Sequence, residues 1–135
     1  MRRITEIIVH CSATMPGQHV TAEDIDKWHK MRGWRKIGYH YVVRENGYLE
    51  VGRSEWEIGA HCKGHNRHSI GVCYVGGLDK DGKPADTRTK TQKLVLLNLL
   101  KELKRKYPKA KIYGHRDFAA RDCPCFDARK EYELL

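Results

Sequence analysis

Two histidines and one cysteine, far apart in this sequence, have side chains that bind transition metals. His10 closes a short apolar run, His115 lies in the segment Tyr113-Gly114-His115-Arg116-Asp117, and Cys123 precedes Pro124. Imidazole nitrogens and a thiolate together suit zinc, and three protein ligands leave the fourth coordination position free for water. Because a structural zinc site normally fills all four positions, this set predicts a catalytic centre.

Two further cysteines compete with Cys123 as ligands. Cys125 lies two residues beyond it, and Cys11 directly follows His10. Side chains alternate between the faces of a strand, so we expect Cys11 in the core, on the face opposite His10. A single strand histidine is more often a structural hydrogen-bonding residue, and a single cysteine is more often a packed thiol. The metal hypothesis therefore depends on the three residues occurring together.

The length and composition predict one globular domain that spans residues 1–135. A chain of 135 residues with 40% hydrophobic and 32% charged residues can bury about two-thirds of its unfolded surface. No apolar run approaches the roughly 20 residues needed to cross a bilayer, so we expect no membrane partner. Glu6 and His10 interrupt the apolar N-terminal run, which argues against a signal peptide. We therefore expect synthesis in the cytoplasm without an export signal.

The net charge of +9 favours an anionic partner. Nucleic acid is one candidate, and a polyanionic cell wall is another. The densest group of Lys and Arg, in residues 101–111, lies on a leucine-bearing helical segment, a pattern more typical of a solvated helix face than of a nucleic-acid-binding stripe. Five cysteines, an odd number without zinc-finger spacing, favour a reducing compartment with free thiols.

Five β-prone segments alternate with three helical segments. The β-branched or aromatic runs that predict strands are residues 5–10, 39–43, 48–51, 69–75 and 111–114. Asn46-Gly47, between the second and third runs, is a hairpin signal. The segments that predict helices are residues 21–33, 89–107 or 91–107, and 127–135. This order predicts an α/β fold in which a single mixed β-sheet of about five strands is flanked by about three α-helices.

The first two helical segments are amphipathic. The first begins at Thr21, a favourable N-cap residue, and the positions expected on its inner face are Ala22, Ile25, Trp28 and His29. The second ends before Pro108, and the positions expected on its inner face are Leu96, Leu99, Leu100, Leu103 and Tyr107. Both helices should therefore pack against the sheet.

The strand ends should bring the candidate ligands together. His10 ends one predicted strand and His115 follows another, and residues just beyond strand ends converge at one edge of such a sheet. Tyr39 and His40 are consecutive residues of a third strand, so their side chains should point to opposite faces. A phenol is neutral near pH 7 and can orient a water or donate a hydrogen bond to an oxyanion. We expect Tyr39 in that role and His40 as a hydrogen-bonding residue rather than a ligand.

The glycine-punctuated segment 59–66 is predicted to be a loop, and loops of this type often contact substrates. His61, Lys63 and Asn66 offer donors suited to amides and carboxylates. His61 and His65 could instead form a metal-binding pair on a helix. Gly64 between them argues against that helix, so substrate binding is the better interpretation.

Several motifs occur in a fixed order between Ile8 and Asp127. They are Val9-His10-Cys11-Ser12-Ala13-Thr14, Gly38-Tyr39-His40-Tyr41, Gly59-Ala60-His61-Cys62-Lys63-Gly64-His65-Asn66, Ser69-Ile70-Gly71-Val72, Gly114-His115-Arg116-Asp117 and Asp122-Cys123-Pro124. Together they resemble the zinc-dependent N-acetylmuramoyl-L-alanine amidase family, which includes a phage lysozyme and the peptidoglycan recognition proteins. The resemblance implies a mixed sheet with helices, and cleavage of the amide between the lactyl group of N-acetylmuramic acid and L-alanine in peptidoglycan.

The resemblance also implies roles for individual residues. His10, His115 and Cys123 would bind Zn²⁺, Tyr39 would be the catalytic tyrosine, and His61 would lie in the substrate groove. The phage type has a catalytic lysine two residues before the ligand cysteine, where this sequence has Arg121. Both side chains are cations that can stabilise an oxyanion, but Arg stays protonated and cannot donate a proton. The sequence therefore predicts an electrostatic catalytic role for Arg121.

Two other functions compete with this hypothesis. One is a peptidoglycan-binding module without catalysis, which the presence of Cys123 disfavours. The other is a metal-dependent nuclease, but this sequence lacks a carboxylate cluster suited to phosphate-bridging metals. We expect a monomeric phage or prophage endolysin that reaches the cell wall after release from the cytoplasm. Phage members of the family can also bind an inhibitory partner such as a polymerase, and no residue in this sequence establishes such a contact.

Overall fold

The computed structural model describes residues 2–135 and contains one sheet and three α-helices. In chain order the elements are β1 (Glu6–Cys11), α1 (Ala22–Met31), β2 (Tyr41–Val43), β3 (Leu49–Val51), β4 (Ser69–Tyr74), α2 (Lys90–Lys106), β5 (Lys111–Gly114) and α3 (Ala128–Glu131). Two short 3-10 helices cover Asn66–His68 and His115–Asp117. The predicted α/β fold, with a single mixed sheet flanked by helices, is confirmed. Within residues 2–135, no helix combines the length and the apolar character needed to cross a membrane.

The sheet has the strand order β3-β2-β4-β1-β5. Strand β1 lies between β4 and β5 and runs parallel to both, while β2 is parallel to β4. Only β3 is antiparallel, and it pairs with β2 through the predicted hairpin at Asn46-Gly47. Gly47 has a φ of +85°, a conformation that glycine adopts at no steric cost. The parallel arrangement places the C-terminal ends of β1, β4 and β5 at the same edge of the sheet.

The two faces of β1 have different partners, as the alternation of side chains along a strand requires. Ile7, Val9 and Cys11 belong to the larger core cluster. The leucines of α2 that pack in this cluster are those expected from the sequence, namely Leu96, Leu99, Leu100 and Leu103. His10 is on the opposite face, which α1 and the loop after β3 cover. Cys11 therefore lies in the core, as predicted.

Thr21 is the predicted cap of α1, and of the two starts that the sequence left open for α2, the structure has Thr89 as the cap. Thr21 and Thr89 accept hydrogen bonds from the backbone N–H groups of Asp24 and Gln92, which satisfies N–H donors that have no partner inside the helix. Helix α1 ends at Met31, and Gly33 follows with a φ of +87°. Both helices are thus fixed at their ends by local side-chain chemistry.

Several predicted boundaries are wrong by one or more residues. Strand β1 continues to Cys11, so His10 is the penultimate residue of the strand rather than the last. Strand β2 begins at Tyr41 and excludes the two residues before it. Helix α3 has four residues and ends at Glu131 instead of reaching the C-terminus. Leu134, which lies beyond the end of the helix, is 97% exposed.

Candidate metal centre and active-site groove

The donor atoms of His10, His115 and Cys123 lie within 4.8 Å of one another. The Sγ atom of Cys123 is 3.9 Å from Nδ1 of His10, and the two imidazole ring centroids are 4.6 Å apart. Tetrahedral zinc with ordinary Zn–S and Zn–N bonds would require a sulfur–nitrogen separation of about 3.6 Å. The three side chains therefore fit a shared ion with only a small contraction. Within residues 2–135, no other group of three His, Cys, Asp or Glu side chains fits a shared ion.

The backbone around Cys123 attaches this residue to β1 and to the segment after β5. The N–H of Cys11 donates to Sγ of Cys123 at 3.2 Å, and the N–H of Arg116 donates to the Cys123 carbonyl at 2.7 Å. Gly114 is necessary at the end of β5 because a Cβ there would lie 2.8 Å from the ring of Pro124. These contacts hold the sulfur beside the two histidines.

Both candidate imidazoles are in environments that keep them neutral. Burial lowers the pKa of His10 well below its usual value, and neighbouring His61 and His115 lower it further. Partial burial, followed by the charge of Arg121, lowers the pKa of His115. A metal ligand must be deprotonated, so the lowered pKa values leave both rings ready to bind a cation.

The second ring nitrogen of His10 is bound by another histidine. Nε2 of His10 lies 2.8 Å from Nδ1 of His61, and Nε2 of His61 lies 3.0 Å from Oγ of Ser69. His61 is 8% exposed, and burial lowers its pKa well below the usual value for histidine. Both ring nitrogens of His61 are thus occupied by protein partners, although the residue lines the groove.

Tyr39 and His40 precede β2, so the strand in which we expected their side chains to alternate does not include them. The ring of Tyr39 is 5.0 Å from the ring of His10, and the ring of His40 is 5.8 Å from that of His61. Both residues precede β2, where the backbone is irregular and alternation does not apply. Nδ1 of His40 accepts from the N–H of Gly71 at 3.0 Å, as expected for a buried hydrogen-bonding residue.

Desolvation raises the pKa of Tyr39 well above its usual value, and the nearby thiol groups of Cys73 and Cys123 raise it further. The phenol is therefore protonated near neutral pH. Its O–H is a hydrogen-bond donor, and its ring lies beside that of His10.

Tyr39, His61, His115 and Cys123 line a groove of about 840 Å³, and His10 is buried beneath them. Arg121 is exposed at the groove, and Lys63 and Asn66 line it from the loop predicted to bind substrate. Oδ1 of Asn66 accepts from the backbone N–H groups of His61 and Cys62, at 2.9 and 3.0 Å. The Asn66 oxygen therefore shapes the loop, and only its amide nitrogen is left for a ligand.

The groove lining also contains two tryptophans that the sequence did not lead us to expect there. Trp28 was expected on the inner face of α1, but it is 39% exposed and lines the groove together with Trp34. The sequence signal that could have placed both rings in the groove is their spacing around Gly33, which follows the end of α1. Arg32 lies between them and also lines the groove.

Comparison with known proteins agrees with this geometry. The sequence matches the N-acetylmuramoyl-L-alanine amidase family over residues 1–126. The chain belongs to this family. The endolysin of Enterobacteria phage T3 is 44% identical to this amidase over 133 residues, which cover 98% of this chain and 88% of that protein. The endolysin of Escherichia phage T7 is 44% identical over 127 residues, covering 94% of this chain and 84% of that protein.

A solved structure supports the fold of this amidase independently. The N-acetylmuramoyl-L-alanine amidase LysC from Clostridium intestinale superposes with a TM-score of 0.82 at 28% sequence identity. The superposition covers 96% of this chain and 82% of LysC. The similarity therefore extends over the whole sheet, the helices and the loops that form the groove.

Proposed function

We propose that this amidase is an endolysin that hydrolyses the bond between the lactyl group of N-acetylmuramic acid and the L-alanine of the peptidoglycan stem peptide. We propose further that Zn²⁺ is its cofactor, bound by His10, His115 and Cys123. The observation that carries the proposal is the convergence of these three donor groups, two of which line a groove large enough for a muropeptide. Family membership supports the reaction class.

The donor set favours zinc over the hard cations. Two neutral imidazoles and a sulfur suit zinc, whereas magnesium and calcium prefer several oxygen ligands. When bound there, zinc would polarise the scissile carbonyl and make a water-derived nucleophile available near neutral pH. Three protein ligands would leave one coordination position facing the groove.

Tyr39 is proposed as a hydrogen-bond donor during the reaction. Its raised pKa keeps the phenol protonated, so it can donate to the oxygen of the amide carbonyl as negative charge develops there. The position of its ring, 5.0 Å from that of His10, supports this role. A donor already in position costs no reorganisation at the moment of reaction.

Arg121 is proposed to stabilise the same negative charge. It lines the groove, and its charge contributes to the lowered pKa of both His10 and His115, so its field reaches the candidate metal centre. A thiolate ligand leaves the zinc complex with one positive charge less than a site of three imidazoles. A fixed cation nearby therefore supplements the weaker electrophile.

The remaining groove residues are suited to binding a muropeptide. Lys63 and Arg32 provide positive charge for the carboxylates of the stem peptide, and Asn66 provides an amide nitrogen. The flat rings of Trp28 and Trp34 offer apolar surface for the sugar or for aliphatic parts of the peptide. The net charge of +9 would also attract the chain to an anionic cell wall.

The test combines metal analysis with two substrates. Purified protein is analysed for zinc and then incubated with muropeptides and, separately, with plasmid DNA. The proposal predicts one zinc per chain, release of stem peptides with a free L-alanine amino group, and intact plasmid. Binding of muropeptides without cleavage by zinc-loaded protein would support a recognition module instead, and nicked plasmid would support a nuclease.

A further inference from the structure

The strongest feature without an assigned role is the hydrogen bonding of the His10 ring nitrogen that does not face Cys123. Nδ1 of His10 faces Cys123 at 3.9 Å, so it is the nitrogen that would bind the metal. Nε2 of the same ring then carries the hydrogen and can donate it to Nδ1 of His61, 2.8 Å away. These two roles for the His10 nitrogens are compatible in one tautomer of a neutral ring.

The hydrogen bonding continues one step further into the protein. Because Nδ1 of His61 accepts from His10, a neutral His61 ring carries its hydrogen on Nε2. That hydrogen points to Oγ of Ser69, which is 3.0 Å away and completely buried. Ser69 is the first residue of β4, so the chain of hydrogen bonds ends on the sheet itself.

Packing holds the ring of His61 as firmly as its hydrogen bonds do. A Cβ on Gly71 would lie 2.6 to 2.8 Å from three atoms of the His61 ring, and a Cβ on Gly59 would lie 2.7 Å from Cδ2. Both positions therefore have to be glycine for the ring to occupy this place. Asn66 fixes the backbone of the same residue through the N–H of His61.

We propose that His61, supported by Ser69, is a positioning residue that orients His10 for metal binding. This inference rests on the proposed metal centre and goes beyond it, because the resemblance implies only a place in the substrate groove for His61. A partner that binds the outer nitrogen of a metal-ligating histidine fixes its tautomer and ring orientation, and its loss typically weakens metal affinity about 10- to 100-fold.

The test measures zinc affinity by competition with a chromophoric chelator, together with KM and kcat. His61→Leu should weaken zinc binding by about 10- to 100-fold. His61→Asn, which carries an acceptor oxygen as far from the backbone as Nδ1, should remain closer to the wild type. Ser69→Ala should weaken binding less than His61→Leu, and combining the two should add nothing, because Ser69 acts only through His61. His68→Leu, at an exposed histidine of the next turn, is the matched control and should leave affinity unchanged.

Gly71→Ala tests the same inference without removing a polar group. The added methyl group should displace the His61 ring and weaken zinc binding, and the ligand-field spectrum of the Co²⁺-substituted protein should change. The melting temperature of each variant without metal shows whether it is folded. If His61→Leu does not fold, Ser69→Ala and Gly71→Ala alone test the positioning role of His61.

These experiments distinguish failure of the positioning role of His61 from failure of the proposed metal centre. Wild-type zinc affinity in folded His61→Leu or Gly71→Ala, with KM raised instead, would overturn the positioning role and make His61 a substrate contact. A wild-type protein that binds no zinc, or binds it equally well after Cys123→Ala, would overturn the proposed metal centre itself.

Discussion

Cys11 and Cys123 are 112 positions apart in the chain, yet the backbone N–H of the first donates a hydrogen bond to the sulfur of the second at 3.2 Å. Strand β5 pairs with β1 only as far as Val9, so beyond that point this edge of β1 is available to another partner. The Cys123 loop takes that place. The candidate metal centre thus forms where the pairing of two parallel strands ends.

Substituting Cys123 tests the sulfur ligand. Cys123→Ala should leave the fold intact, lower the zinc content from one per chain to near zero and abolish cleavage, because two imidazoles alone hold zinc weakly. Zinc content by atomic emission and peptide release from muropeptides are the measurements. The matched control is Cys125→Ala, whose thiol donates to the carbonyl of Gly77 and is not among the convergent donors. A zinc-replete, active Cys123→Ala protein would contradict the ligand assignment.

Tyr39→Phe separates chemistry from metal binding. The substitution removes one O–H and keeps the ring, so zinc content should be unchanged while kcat falls about 100- to 1000-fold, as for other oxyanion donors. Steady-state kinetics on a soluble muropeptide measure the effect. Tyr48→Phe, at a tyrosine that is 62% exposed and distant from the groove lining, is the control. Full turnover by Tyr39→Phe would reduce the role of Tyr39 to packing.

Two substitutions of Arg121 distinguish charge from shape. Arg121→Lys keeps the cation and should retain or increase kcat, whereas Arg121→Gln removes it and should lower kcat without loss of zinc. The pair is compared with Arg116→Gln, an exposed arginine close in the chain that does not line the groove. An inactive Arg121→Lys protein would mean that the planar guanidinium itself is required.

A buried arginine behind the Cys123 loop should contribute strongly to stability. The side chain of Arg88 is 2% exposed, pairs with Asp86 and Glu131 at 2.9 and 2.8 Å, and lies 3.4 Å from the ring centroid of Phe126. Arg88→Met should lower the free energy of unfolding by about 1–3 kcal/mol, because Asp86 and Glu131 lose charged hydrogen bonds while solvent screens these partly exposed carboxylates. Urea denaturation measures this loss, and Arg129→Met at an exposed position is the control.

The contact between Arg88 and Glu131 also predicts how the free energy of unfolding depends on pH. Hydrogen bonds from Arg88 lower the pKa of Glu131 in the folded protein, outweighing its partial burial. A lowered carboxyl pKa stabilises the fold at pH values above the unfolded pKa of about 4.3, and this contribution is lost as the pH falls below that value. Unfolding curves between neutral pH and pH of about 3 should therefore show a smaller acid-induced loss for Arg88→Met than for the wild type. Equal losses would contradict the coupling.

The sequence by itself determined the fold class, the helix caps and the chemistry of the candidate ligands. Apolar periodicity and the capping residue Thr21 act over a few neighbouring positions, so they can be recognised without a structure. The chemistry of imidazole and thiol groups is also a property of single residues. The set His10, His115 and Cys123 could therefore be predicted, and the fold brings its donor atoms together.

Only the tertiary structure decided which groups surround those ligands. The partners of His61 are 51 and 8 positions away in the chain, and the exposure of Trp28 depends on how α1 lies over the groove. Tyr39 lies beside His10 and His40 lies beside His61, and both of these neighbours come from other segments of the chain. Contacts of this kind follow from the packing of segments that are distant in the sequence. Short-range sequence patterns therefore do not predict them.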